Sequence, residues 1–492
     1  MSILRDLRQI FHRRIVQLAA LVVTFTVLLA LSLITKGYLL DPDVWWHLKV
    51  GDWILQHRAV PLVGVLSRTA AARPWVAYSW GFEVILSRVY AWMGLEGFAS
   101  FGIVLAMLVP VTLFGCCFAL SRRFWVSCTL TLFGSVAFVY SLYPRPVFFS
   151  MALFTLMLFM ILKAQRSGRI QILYWFPLLF LIWANLHIQF IYGLATIGLY
   201  IVVEVVLWIA SRARVNLEAF RTPSLSPLAL GAILLVSVAT SCIGPYSYRL
   251  YLVVIEYSRA KQTYVVIQEL LAPNFTSWTY FVFLLTVMAA FYAVGFRRKI
   301  DLFQLSLLIV ASVCAFRTVR DAWFVAIPAI LFIADSPAGE AEQDPGFSPA
   351  ELLSLSGSTA LLAFLLATNL GFTSRGMDAS ISSEFPVDAA NFIRNLSPPG
   401  PIYNNFDWGG FLTWYLPNYP VEIDGRNDLY GDSYVAHHIQ FNEGDRTDGD
   451  QQLDEAGVVL LSREASLAKI LKVDARFRLV YEDRMADVFL RN

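Results

Sequence analysis

Eleven apolar runs, several close to the ~20 residues that a helix needs to cross a bilayer, dominate the chain as far as Leu370. They are Val16–Ile34, Phe98–Leu120, Phe124–Tyr140, Val147–Leu162, Ile172–Ala184, Ile188–Ala210, Leu228–Thr240, Trp278–Val294, Leu302–Phe316, Trp323–Ile333 and Leu352–Leu370. Some are short, as expected of tilted or broken helices. Only 15% of the residues are charged and 57% are hydrophobic, with a mean hydropathy of +0.60. A water-soluble chain carries nearer ~25% charged residues, so most of this one cannot face water. The expectation is a polytopic α-helical membrane protein of about eleven transmembrane helices. A net charge of +2 without a basic run argues against nucleic acid as a partner. The five cysteines, Cys116, Cys117, Cys128, Cys242 and Cys314, all lie in or beside apolar runs. They read as small core residues, which leaves the C-terminal region without a disulfide framework or a cysteine zinc site.

The charges between the runs orient the chain. Arg5, Arg8, Arg13 and Arg14 precede the first run, and no small-residue cleavage site follows it. It reads as an uncleaved anchor with the N-terminus in the cytoplasm. Counting from there, Arg122 and Arg123, then Lys163, Arg166 and Arg169, fall inside. So do Arg212, Arg214 and Arg221, and the cluster Arg297, Arg298 and Lys299, as the positive-inside rule requires. The last inside loop, Asp335 to Glu351, is acidic, but acidic residues weigh little in that rule. Residues 1–371 are thus expected to form the transmembrane domain, with outer loops at 35–95 and 244–277. Residues 372–492 are expected to form a small soluble α/β domain outside the cytoplasm. In the first outer loop, Val44–Gln56 and Trp80–Met93 are amphipathic and rich in Trp and Tyr, as in helices lying along the membrane surface. In the tail, Pro386–Asn395 reads as a helix. Pro401–Tyr403, Val421–Ile423, Val458–Leu461, Phe477–Tyr481 and Ala486–Leu490 read as strands, the last two as a hairpin. No internal repeat supports the inverted-repeat plan of many transporters.

Polar residues near span ends are costly and need a reason, and here they gather on the expected outer side. The first outer loop opens Asp41-Pro42-Asp43-Val44-Trp45-Trp46-His47-Leu48, and Arg145 sits in a Tyr143-Pro144-Arg145-Pro146 turn. Asn185, His187 and Gln189 interrupt a long apolar stretch. Tyr246, Arg249, Lys261, Gln268 and Glu269 lie in the second outer loop, and Arg317, Arg320 and Asp321 bound the next turn. The tail adds Asp407, Asp424, Arg426 and Asp428. Transfer of a sugar from a lipid-linked phosphate needs a carboxylate to take the acceptor's proton and cations to hold the departing phosphate. Asp41 or Asp43 suits the first role, and Arg145, Arg249, Arg317 and Arg320 the second.

An acidic motif in the first outer loop after one anchor helix resembles the GT-C class of membrane glycosyltransferases. That class includes protein mannosyltransferases, oligosaccharyltransferases and lipid A aminoarabinose transferases. The chain is more closely similar to a large group of bacterial GT-C-like proteins. It shares with them the Asp-Pro-Asp-Val-Trp-Trp-His-Leu-x-x-Gly motif of Asp41 to Gly51, and Arg73-Pro74-Trp75-Val76. Also shared are Trp183-Ala184-Asn185-Leu186-His187, Asp407-Trp408-Gly409-Gly410 and Ile423-Asp424-Gly425-Arg426-x-Asp428. The resemblance covers nearly the whole chain. It implies a GT-C-like fold in a bacterial cytoplasmic membrane, and inverting transfer from a polyprenyl-phosphate sugar with a loop-one Asp as base. The acceptor would be a glycan, lipid or protein of the cell envelope, and the substrate-binding set Arg145, Arg249, Arg317, Arg320, Trp45, Trp46, His187, Asn185, Glu269, Asp424 and Arg426. The paired Asp-Glu of protein mannosyltransferases is here Asp41-Pro42-Asp43, with no second Asp-x-Asp in a membrane-proximal outer loop. A divalent metal ion, Mg or Mn, is the one cofactor this leaves open.

Plainer readings stand beside these. Asp41-Pro42-Asp43 is also an ordinary helix start, and because Asp41 is the better cap, Asp43 is the better base. His47, one turn on, is a third catalytic candidate that could share a proton or bind a metal with Asp43. His187 with Asn185 suits a buried polar clamp. The arginines could snorkel to headgroups, and Asp424 with Arg426 could be a structural pair. Two other functions remain: a flippase for lipid-linked sugars, for which Glu204 is the nearest intramembrane acid, and a non-catalytic lipid- or partner-binding descendant.

Overall fold

The computed structural model describes residues 2–34, 40–137, 145–259, 261–263, 267–336, 344–369, 372, 374–445 and 451–492. Tyr143 and Pro144, the end of the Phe124–Tyr140 run and the boundary at Gly371 lie outside these residues.

Every apolar run coincides with a helix. In chain order the helices of the first part are α1 (Ser2–Ile34), α2 (Pro42–His57), α3 (Trp80–Ser121), α4 (Phe124–Ala137), α5 (Val147–Ser167), α6 (Phe176–Leu186) and α7 (Phe190–Arg212). They continue with α8 (Pro227–Ser241), α9 (Arg249–Arg259), α10 (Trp278–Gly295), α11 (Leu302–Arg317), α12 (Ala322–Ala334) and α13 (Pro349–Asn369). Among the described residues, six helices are long and apolar enough to cross a membrane: α1, α3, α5, α7, α10 and α13. The shorter ones pack between them. α12 is apolar on all sides and, apart from Ile333, fully enclosed, the placement expected of a helix without a polar face. It is surrounded by α3, α4, α5, α10 and α11.

The basic loops converge on one end of this bundle. Arg166 and Arg297 both pair with Asp335, to which Gln304 also donates at 2.8 Å. Arg221 pairs with Asp301 at 3.0 Å, Arg13 with Asp344 at 2.8 Å and Arg14 with Glu351 at 2.7 Å. Asp335, Asp344 and Glu351, the described acids of the one loop that broke the basic pattern, are therefore partners of arginines. The candidate site lies at the opposite end, since α5 runs 21 residues, about 30 Å, from beside Arg145 to beside Arg166.

The two amphipathic stretches become α2 and the first part of α3. Asp41 caps α2 by accepting from the Asp43 N–H at 3.0 Å, with Pro42 at the first helical position. α3 is broken at Gly94, whose φ of 62° and ψ of −145° separate the surface segment from the apolar run. α2 lies directly against that segment, and a Cβ on Gly51 would meet the backbone of Glu83.

The tail carries helices α14 (Ser374–Glu384), α15 (Val387–Leu396), α16 (Gly409–Tyr415), α17 (Asn427–Tyr430), α18 (Asp432–Asn442), α19 (Gln451–Glu455) and α20 (Ser466–Leu471). They accompany a sheet of β1 (Ile402–Asn404), β2 (Val458–Ser462), β3 (Phe477–Glu482) and β4 (Ala486–Arg491). The order is β1-β2-β4-β3, with β1 and β2 parallel and the other pairs antiparallel. One expected strand is absent: Val421–Ile423 is not part of the sheet. The Asn404 side chain takes the place of a ladder there, accepting from Glu422 N–H and donating to the Ile423 carbonyl, both at 2.9 Å. Val421 bridges instead to Ser67 of the first outer loop.

The tail is docked on α2. Trp45 is fully buried between Phe98 of α3 and Phe385, Phe411 and Trp414 of the tail. Gly410 meets the Pro42 carbonyl and Gly425 meets the Asp43 carboxylate, each so closely that a Cβ would collide. Overpacking of this kind costs about 1–3 kcal/mol. Gly410→Ala should therefore lower the thermal unfolding midpoint in detergent, whereas Gly357→Ala, in the interior of α13 where a Cβ meets nothing within 4 Å, should not lower it.

Candidate active site

Arg145, just before α5, gathers carboxylates from two distant segments. Its Nε and Nη2 donate to the two oxygens of Asp41 at 2.7 and 2.9 Å, the bidentate geometry that makes such pairs strong. Nη2 also lies 3.2 Å from Asp43 Oδ2, and Nη1 donates to Glu269 Oε2 at 2.6 Å. Asp41 is fully buried, so this clamp compensates a charge that has no access to water. Arg320 follows, with Nη1 3.9 Å from Glu269 Oε1.

Asp43 is held by two donors, Arg145 and Trp46. Trp46 Nε1 donates to its Oδ1 at 3.1 Å. Burial pushes its pKa up to about 7, with Asp41 and Glu269 adding to the rise and Arg145 only partly opposing it. One turn further, His47 Nδ1 lies 3.1 Å from Glu83 Oε1, and burial holds its pKa well below the usual imidazole value, aided by Arg145. His187, between α6 and α7, meets Ser150 Oγ through Nδ1 at 2.8 Å, and Trp183 Nε1 donates to the same hydroxyl at 2.7 Å. Burial lowers its pKa to about 3, with Arg320 adding to the effect.

Three adjoining cavities meet at these residues. The largest, about 650 Å³, lies between the Asp43 centre and the tail, and reaches Asp407, Asn442, Glu443 and Glu464. A small chamber of about 100 Å³ is lined by Asp43, His47, Tyr78, Arg145, His187, Glu269 and Arg320. It shares Asp43, Arg145, Glu269, Gly425 and Asn427 with the large cavity. A third, about 420 Å³, has mostly apolar exposed surface from Ile188, Ile191 and Val254 but is also lined by Glu256, Arg259, Asp321, Asp428 and Asp432, and shares Tyr257, Arg320 and Asn427 with the chamber.

Of the other candidate residues, Trp46 lines the small chamber and the rest fall outside the three cavities. Trp45 belongs to the aromatic core, and Trp46 holds Asp43. Asn185 accepts from Trp80 and donates to the Leu181 and Ile243 carbonyls, which makes it a clamp between helices. Asp424 and Arg426 are a fully buried pair, with the guanidinium over the ring of Trp75. Arg249 and Arg317 line none of the three cavities. Among the described residues there is no group of three or more His, Cys, Asp or Glu side chains placed to hold a metal ion. The carboxylates that do converge, Asp41, Asp43 and Glu269, surround a guanidinium where a metal would have to sit.

Several residues of the site went unread in the sequence. Glu83 is an acid on the buried face of an amphipathic segment, the one signal that could have marked it. Tyr78 and Tyr257 meet hydroxyl to hydroxyl at 3.2 Å, and Tyr257 reaches Asp428 at 3.5 Å. Burial raises the pKa of Asp428 to about 6. Asp432 of α18 accepts from three consecutive N–H groups, Lys261, Gln262 and Thr263, at 2.7–2.8 Å, tying this part of the second outer loop to the tail.

No family model matches the chain, and no curated protein matches it. Among solved structures it is similar to ArnT from Cupriavidus metallidurans bound to undecaprenyl phosphate. The TM-score is 0.48 at 14% identity, over 96% of this chain and 97% of that one. The apo state of the same protein gives a TM-score of 0.47 at 14% identity, over 94% and 97%.

Removal of the Arg145 guanidinium strands Asp41 as an uncompensated buried charge, a loss of about 3–5 kcal/mol. Arg145→Ala should accordingly unfold at a clearly lower temperature than the wild type. Because the Asp43 pKa is raised from 3.8 to about 7, its contribution to stability is full at low pH and is lost as pH rises between those values. Asp43→Asn should flatten that part of the stability-against-pH profile.

Proposed function

We propose that this protein is a GT-C-type membrane glycosyltransferase, with about eleven membrane crossings and the tail outside the cytoplasm. It moves a sugar from a polyprenyl-phosphate donor to an acceptor on the outer face, and Asp43 is its general base. The observation that carries the reading is the position of Asp43, in the chamber where a groove of mostly apolar surface that includes Arg320 meets a polar cavity open to the tail. The motifs shared with GT-C-like proteins support it independently.

In this mechanism the lipid follows that groove and its phosphate lies by Arg320. Arg320 suits the phosphate better than Arg145, whose guanidinium is engaged by Asp41, Asp43 and Glu269. Asp43 takes the proton of an acceptor hydroxyl as its oxygen attacks the anomeric carbon. The bond from that carbon to the phosphate oxygen breaks, and the phosphate leaves with its charge held by Arg320. Attack opposite the leaving group inverts the anomeric configuration. A base with a pKa near the working pH combines availability with proton affinity.

The test follows release of free polyprenyl phosphate by the purified protein in lipid, with a panel of polyprenyl-phosphate sugars. Wild type should turn over at least one donor, at a rate that rises with pH to a plateau above about 7 as Asp43 ionises. Asp43→Asn should lose about 100-fold or more, and Arg320→Ala should lose activity while Arg249→Ala does not. Turnover that survives Asp43→Asn rules out the assigned base. No turnover of any donor, with lipid nevertheless copurifying, favours a binding protein or flippase.

A further inference from the structure

The large cavity faces the acceptor side of the proposed reaction, and its lining carries information about what enters it. Five carboxylates line it, Asp43, Glu269, Asp407, Glu443 and Glu464, against the single guanidinium of Arg145. That guanidinium is engaged by Asp43, Glu269 and the buried Asp41. Among the described residues, Asp407, Glu443 and Glu464 have no ion-pair partner. The remaining polar lining is neutral: the amides of Asn405, Asn427 and Asn442 and the hydroxyls of Ser462 and Ser466. The Oδ1 of Asn427, a residue that borders all three cavities, is buried with no hydrogen-bond partner.

A cleft lined by one sign of charge focuses its field and concentrates ligands of the opposite sign. We propose that the acceptor bound in this cavity is a hydroxyl-rich glycan bearing positive charge, an amino sugar with free amines, and that anionic acceptors are excluded. The lining amides and hydroxyls match sugar hydroxyls. Glu443 and Glu464, on the tail wall, select the ammonium groups. The inference rests on the transferase reading for the word acceptor, but the cavity's charge preference is independent of turnover and can be measured without it.

The test is binding to the full-length protein in nanodiscs of zwitterionic lipid, by calorimetry or tryptophan fluorescence. Three tetrasaccharides of equal length serve as probes: tetraglucosamine, its N-acetylated neutral counterpart, and tetragalacturonate. Tetraglucosamine should bind at least ten-fold tighter than the neutral probe at low salt, and tetragalacturonate should not bind. The preference should shrink several-fold at high salt and in the Glu443→Gln/Glu464→Gln double variant. Both positions are exposed, so that variant should unfold at the wild-type temperature. Equal binding of the three probes, tighter binding of the anionic one, or a preference untouched by the double variant overturns the proposal. Empty nanodiscs control for binding to lipid. Polyprenyl phosphate release without acceptor selectivity would leave the transferase reading intact and sink this one, whereas selective binding without release would do the reverse.

Discussion

The clamp between Arg145 and its carboxylates is the interaction on which the rest of the site depends. Asp41 is fully buried and would not survive as an ion without the bidentate guanidinium. By capping α2, it also fixes where Asp43 stands one residue inside the helix. Arg145 enters from the start of α5 and Glu269 from the second outer loop, so one hydrogen-bonded cluster ties three separate stretches of chain together. The cost of holding so much charge away from water shows in Asp43, whose carboxyl is left with a raised proton affinity while that of Glu269 is lowered.

Around that cluster the protein separates its polar groups by destination. At the basic end of the bundle, arginines and acids neutralise one another across loops, as in Arg221 with Asp301 and in Arg166 and Arg297 with Asp335. At the other end the compensation is incomplete. One guanidinium serves three acids, and three further carboxylates on the tail side stand without a partner among the described residues. Pairing stabilises the first end, and the incomplete pairing at the second leaves charge available to a ligand.

Much of the fold was legible because membrane helices announce themselves by length and composition. The apolar runs coincide with helices, and the β1, β2, β3 and β4 segments lie where alternation and turn residues put them. Asp41 as cap was legible from Asp-Pro at the helix start. What the residues could not reveal was long-range satisfaction of polar groups. Val421–Ile423 has the composition of a strand, yet its backbone is met by the side chain of Asn404. Trp45 looked like a surface aromatic until Phe385, Phe411 and Trp414, hundreds of residues away, were seen to enclose it. The three acidic partners of Arg145 could not be read either, because more than a hundred residues of sequence separate each of them from it.

The glycines that let the tail meet α2 set a limit on how this chain can diversify. Gly410 lies on the Pro42 carbonyl and Gly425 on the Asp43 carboxylate, with no room for a side chain between. The tail is therefore not an interchangeable module on a membrane scaffold, because exchanging it would remake one wall of the candidate site. New specificities have to arise by point changes on the far wall of the large cavity, where Glu443 and Glu464 support no neighbour, while the shared seam stays as it is.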